Sequence, residues 1–170
     1  FDSKGFEAAY GPTTVEQRCP DFKISYEGHE CQWNGPSWPY LTSMTLTAMA
    51  NYFNSYDSPI ITKKDYLSLL NIYSNSHRIL SVNNDRVCWI DENINPYTGD
   101  WISRTRLKSW KNGTWDDSKG GVERGKDYNH SSFCNLIISG LMGVRPQEDG
   151  SIIINPLVPD GCWDYFCLDN

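Results

Sequence analysis

Pro36-Ser37-Trp38-Pro39 leads into Tyr40-Leu41-Thr42-Ser43-Met44-Thr45-Leu46-Thr47-Ala48-Met49-Ala50-Asn51-Tyr52-Phe53, a run without a single charged residue. Within it Trp38, Leu41, Thr45, Ala48, Met49 and Tyr52 recur at three- and four-residue steps, which sets them on one face of a helix. Ser37 suits a cap, and Pro39, with fixed φ and no amide hydrogen, suits a first turn. The run predicts a helix over 38–54. Thr62, a second capping candidate, precedes Tyr66, Leu69, Leu70, Tyr73 and Leu80 on one stripe, which predicts a helix over 63–80. Phe133, Leu136, Ile137, Gly140 and Leu141 predict a third over 130–143, with Asn129 or Ser131 as cap and Gly143 as stop.

Outward from these helices the pattern changes. Residues 1–36 are rich in Gly, Pro, Thr and charge and read as loop, as does 82–127 with its turn signals Asn95-Pro96 and Thr98-Gly99. After the third helix, Asp149-Gly150 marks a turn and the β-branched run Ser151–Asn155 predicts a strand. Trp163–Leu168 predicts another. The fold class is therefore mainly α, with residues 1–144 helical and 145–170 the start of a β-rich region. The chain ends inside a strand pattern, so the expectation is a natural protein longer at both ends.

The 170 residues carry a net charge of −6. They lack Lys/Arg clusters and any apolar run long enough to span a bilayer, so neither nucleic acid nor membrane is an expected partner. No signal-peptide pattern opens them. Seven Trp and ten Tyr recur with Asn, Asp and Gly in the same segments. Flat rings beside hydrogen-bonding groups suit a sugar, which offers C–H faces and hydroxyl edges, although such rings fill cores equally often. The six cysteines form no CxxC pair. Cys19 and Cys31 suit a loop disulfide, Cys134 reads as a buried thiol, and His29 beside Cys31 lacks the further ligands a metal needs. No metal and no cofactor is expected. The compartment stays open, with a periplasmic or secreted setting favoured by a small margin.

Three segments carry candidate chemistry. Cys31-Gln32-Trp33-Asn34-Gly35-Pro36-Ser37-Trp38-Pro39-Tyr40 places two Trp and an amide on a loop entering a helix; it reads equally as a ligand-lining loop and as packing for the helix start. Trp89-Ile90-Asp91-Glu92-Asn93-Ile94-Asn95-Pro96-Tyr97-Thr98-Gly99-Asp100-Trp101 sets carboxylates among aromatic walls, where one can orient a water as general base. Taken by itself, it reads more simply as solvated acids on a loop. Glu123–Phe133 brings His130 to the start of the third helix, where a lone His is more often a structural hydrogen-bonder.

The first segment resembles the Gln-Trp-(Asp/Asn)…Pro…Trp…Pro signature of trehalases and the Gly-Pro-x-Trp of processing α-glucosidase I and its bacterial, mannosylglycerate hydrolase-like relatives. Glu92 with Asn95-Pro96 and Thr98-Gly99 resembles their Glu-x-x-(Asp/Asn)-Pro-x-Thr-Gly stretch. Gly140-Leu141-Met142-Gly143-Val144-Arg145-Pro146 through Ile154-Asn155-Pro156-Leu157-Val158-Pro159 resembles the exit from a helical toroid into a β domain. Two departures stand out: Asn34 where trehalases have Asp, and Ile94 where an aromatic is usual.

The resemblance implies a partial (α/α)6 toroid of the six-hairpin glycosidase type and inverting hydrolysis of α-linked glycosides. It gives Glu92 the role of general base and Trp33, Asn34, Gly35 and Trp38 a sugar-binding role, with Trp101 and His130 as further candidates. The expected partner is an oligosaccharide or polysaccharide, and the rest of the toroid or another chain is expected to cover the apolar helix faces. The Asp general acid belongs to an earlier loop with no counterpart in these residues, so the isolated chain is expected to be inactive. A non-catalytic sugar-binding module is the alternative.

Overall fold

A computed structural model describes residues 2–26, 32–57, 60–80, 86–102, 132–165 and 167. The order of elements is α1 (Pro39–Ser55), α2 (Lys63–Ser76), β1 (Arg78–Leu80), β2 (Arg86–Cys88), α3 (Phe133–Asn135) running into a π-helical turn (Leu136–Leu141), β3 (Val144–Pro146) and β4 (Ile152–Ile154). The chain is thus helix-rich with a few short strands. Among the described residues no helix is long and apolar enough to cross a membrane. Two compact units are formed, one from 1–42 with 72–130 and the other from 43–71 with 131–170.

Pro39 opens α1, as the fixed φ of proline allows. Ser37 does not simply precede the helix: its backbone is taken up by β-bridges to Thr13 and Ile94. The start of α2 is a capping box. Thr62 Oγ1 accepts the Asp65 amide at 3.2 Å while Asp65 Oδ2 accepts from the Thr62 amide at 2.7 Å. The Thr62 amide first, and the Thr62 hydroxyl donating to Asp65 Oδ2 at 2.7 Å second, hold the half-buried Asp65 carboxyl below its usual range.

Beyond Ser76 the structure departs from the periodicity. Leu80 falls in helical phase, but α2 stops and Arg78–Leu80 pairs antiparallel with Arg86–Cys88, Ile79 opposite Val87. The third helix also differs from a regular α-helix. After one α turn it widens, with the Met142 amide donating to the Ile137 carbonyl at 2.8 Å, and Tyr66 Oη donates to the Leu136 carbonyl at 2.9 Å. Tyr66 is fully buried, and burial pushes its phenol up to about 12. Gly140 is obligatory there, because a Cβ at this position would collide with the Tyr66 hydroxyl. Cys134, expected as a buried thiol, is exposed: it lies in the single α turn Phe133–Asn135, none of whose residues is buried. Cys31 and His29 lie outside the described residues.

Gly143 ends the helix at φ 67°, the left-handed value expected of a stop. The strand expected near 151–155 is present as Ile152–Ile154, and its partner is the short Val144–Pro146, with Arg145 opposite Ile153. Ser151 and Asp149 form the turn between them, Asp149 Oδ1 accepting the Ser151 amide at 2.9 Å. The strand expected over 163–168 is absent from its described residues, where Trp163 and Tyr165 are exposed. A β-branched or aromatic run becomes a strand only when a neighbouring strand takes its amides and carbonyls, and the described residues 161–165 instead follow turns and bends.

Candidate functional site

The unit formed by 1–42 and 72–130 joins the first two motif segments through their backbones. Ser37 donates its amide to the Ile94 carbonyl at 3.0 Å, and Ile94 returns its own to the Ser37 carbonyl at 2.9 Å. Ile94 is bridged in turn to Trp101. The Gly-Pro-Ser-Trp loop and the Glu-bearing loop therefore lie side by side as a narrow irregular ladder.

The turn from Asn95 to Gly99 is fixed from within. Asn95 Oδ1 accepts the Tyr97 amide at 3.0 Å and its Nδ2 donates to the Tyr26 hydroxyl at 2.8 Å. The Asn95 amide donates to Asp100 and its carbonyl accepts from Gly99, at 2.8 and 2.9 Å. Gly99 sits at φ 74°, and any Cβ there would strike the Tyr10 ring, so only glycine serves. These bonds explain why an Asn-Pro-x-Thr-Gly sequence closes this loop.

Burial singles out one carboxylate. Asp91, Asn93, Ile94 and Asn95 are buried, the first two at 0% exposure, whereas Glu92 is only half-buried. Asp91 Oδ1 accepts the Glu92 amide at 2.7 Å and Oδ2 faces Trp89 Nε1 at 3.5 Å. Asn93 accepts the Ile102 amide at 3.1 Å. Glu92 is thus the one residue of 91–95 that is not buried.

The aromatic and amide residues divide by role. Trp33 stacks on Trp38 with ring centroids 4.0 Å apart and an 11° tilt. Trp38 is buried and donates Nε1 to the Gln32 carbonyl at 2.7 Å, while Trp33 is 50% exposed. Trp101 is buried and donates Nε1 to the Arg78 carbonyl at 3.3 Å. Trp33 is therefore the ring of the three with an open face. Asn34 spends its amide on the Asp21 carbonyl at 3.0 Å, and Gly35 is required because a Cβ would collide with the Lys23 carbonyl. His130 lies outside the described residues.

Sequence periodicity gave no sign of His77, which follows α2. Its Nδ1 lies 2.5 Å from the Tyr73 carbonyl, and since a carbonyl only accepts, Nδ1 carries the proton. Its ring packs edge-on against Tyr73 and Trp101, with centroids 4.4 and 6.3 Å away. Burial lowers its pKa, opposed by the Tyr73 carbonyl. Among the described residues no group of three His, Cys, Asp or Glu converges as metal ligands would. A cavity of about 340 Å³ belongs wholly to the other unit, lined by Asn51, Leu136, Ser139, Gly140, Arg145 and Gln147 among others. It contains none of the expected site residues.

A helix-rich chain with a few short strands is compatible with a glycoside hydrolase-like domain. Residues 1–131 match the mannosylglycerate hydrolase MGH1-like glycoside hydrolase domain, and the chain belongs to that family. A solved structure named as a sialidase is 36% identical with a TM-score of 0.73, over 96% of this chain and 13% of that one. The chain thus spans a small part of that protein's length. No match was found among curated proteins.

Proposed function

We propose that this chain contributes the general base and a sugar-stacking wall to an inverting glycosidase acting on α-linked glycosides. The observation that carries the reading is Glu92, the half-buried carboxylate on a loop whose flanking residues are locked in place. Trp33, with one face on Trp38 and the other open, is the platform for a sugar ring. Asn34, Gly35, Trp38 and Trp101 shape the wall beneath it, and His130 completes the candidate set.

Inversion needs an acid and a base roughly 6.5–9.5 Å apart, with water between base and anomeric carbon. Glu92 takes the proton of that water. The acid, an Asp on this reading, comes from outside these residues, from the remainder of an (α/α)6 toroid. That remainder also covers apolar side chains such as Tyr40, Met44 and Ile152–Ile154, all exposed here. The isolated chain is accordingly inactive.

The test is α-glycoside hydrolysis by the protein carrying the rest of the domain, as wild type and as Glu92→Gln. Gln keeps the shape and removes the proton acceptor. Turnover should fall by about a hundredfold to ten-thousandfold with sugar affinity retained. Near-full turnover by Glu92→Gln names the wrong carboxylate. Sugar binding by a wild-type protein that hydrolyses nothing favours a binding module instead.

A further inference from the structure

We propose that Asp91 is the positioning residue for Glu92: its buried carboxylate holds the Glu92 amide from the inside and thereby turns the Glu92 side chain outward. The inference rests on the reading of Glu92 as general base. A carboxylate at 0% exposure is costly to bury unless its oxygens find donors. Its donors include the Glu92 amide at 2.7 Å and Trp89 Nε1 at 3.5 Å. The shorter bond goes to the backbone of the neighbouring acid, and a backbone amide given to a carboxylate makes one of the stronger hydrogen bonds available to a loop.

The geometry explains why adjacent acids have different fates. Glu92 sits at a bend and is half-buried, while Asp91 and Asn93 on either side of it are fully buried, so anchoring Asp91 inside fixes the bend from which the Glu92 side chain leaves. The frame is fixed on both flanks. The Trp89 amide donates to the His77 carbonyl at 3.0 Å, and the Asn93 carbonyl accepts from Ile102 at 3.1 Å. Between these anchors the Asp91 side chain supplies a bond made directly to the Glu92 backbone. A base that must meet a water at one distance and angle gains from such a fixed mount, since a displacement of about 1 Å can lower a rate about a hundredfold.

The experiment compares Asp91→Ala, Asp91→Asn, Trp89→Phe and Glu92→Gln in the protein with the rest of its domain. Turnover is read together with hydrogen exchange of the peptide spanning residues 89–95. Asp91→Ala should speed exchange and lower kcat by about tenfold to a hundredfold, with KM within about threefold. Asp91→Asn keeps an oxygen for the Glu92 amide and should restore slow exchange and most of kcat. Trp89→Phe removes only the longer bond and should cost less than Asp91→Ala. If Asp91→Ala turns over within about threefold of wild type while Glu92→Gln is dead, the positioning role is wrong and the base assignment stands. An active Glu92→Gln overturns the base assignment itself. If Asp91→Ala does not fold, Asp91→Asn decides: kcat as low as in Glu92→Gln, with exchange unchanged, means that Asp91 acts through its charge, and the proposal fails.

Discussion

Ser37 and Ile94 exchange both of their backbone hydrogen bonds, at 3.0 and 2.9 Å. Each residue is buried. Through this one pair, the loop bearing Trp33 and the loop bearing Glu92 share a frame, and each amide that would otherwise be orphaned inside the unit is satisfied. Gly11 lies against the same pair, since a Cβ there would collide with Ser37 Oγ.

Trp33→Ala tests the open face of that frame. The ring rests on Trp38 at 4.0 Å and is half exposed, so its loss should cost stability only about 0.5–1.5 kcal/mol. Sugar affinity should weaken far more than that stability loss suggests, while the bound substrate still turns over. Calorimetry with the substrate and a urea titration separate the two effects. Unchanged affinity would show that another ring carries the sugar.

Gly140→Ala should be among the more damaging small substitutions in the unit formed by 43–71 and 131–170. The added Cβ meets the hydroxyl of Tyr66, which is fully buried and bonded to the Leu136 carbonyl. Overpacking of this kind costs about 1–3 kcal/mol. Tyr66→Phe removes the atom that the Cβ meets, so the double variant should lose less than the sum of the singles. Additive losses in urea unfolding would place the strain elsewhere.

Much of the helical part was legible, because a three- and four-residue apolar rhythm is a local signal. Thr62 declared its cap through hydroxyl chemistry alone, and Gly143 its stop through φ. The hairpin of Arg78–Leu80 with Arg86–Cys88 was not legible, since Leu80 keeps helical phase and strands of three residues have no period to read. The π-turn was hidden as well. It answers to Tyr66, whose contact with Leu136 comes from a distant helix. At the candidate site, residue types left sugar contact and packing equally open, and the resemblance singled out Glu92. Composition could not separate Asp91 from Glu92, because which of two neighbouring acids is buried depends on the backbone path of the loop, at whose bend Glu92 sits.

Thr62→Ala should destabilise α2 by about 1 kcal/mol, the usual worth of an N-terminal cap. The loss should itself depend on pH. Asp65 is held below its ordinary value of 3.8 mainly by the Thr62 amide and hydroxyl. A depressed carboxyl adds stability that is present above the unfolded value and disappears as pH falls through the folded one. The difference between wild type and Thr62→Ala should therefore shrink below about pH 4. Urea midpoints at neutral and acidic pH check this, and a pH-independent difference would show that the Asp65 carboxylate takes no part.

His77 gives the chain a pH response in a different window. Its Nδ1 proton is committed to the Tyr73 carbonyl at 2.5 Å, so a second proton must enter at Nε2. That atom is buried and has no hydrogen-bond partner among the described residues. The surrounding rings of Tyr73 and Trp101 offer no carboxylate to receive a charge. Burial consequently holds the imidazole below its ordinary value of 6.5, and the Tyr73 carbonyl offsets only part of this. Because the folded value is the lower one, protonation favours the unfolded chain. The stability contributed by neutral His77 is complete above the unfolded value and is lost as pH falls beneath it. Wild type should therefore lose stability between about pH 7 and about pH 5, before the depressed carboxyls of Asp65 and Asp149 begin to titrate. His77→Gln removes the titrating ring, and its urea midpoint should be flatter across that interval. His29 and His130 are present in both proteins, so the difference between the two curves isolates His77. Parallel curves would mean that its imidazole accepts the proton without strain, and that a donor to Nε2 gives way to an acceptor as it does so.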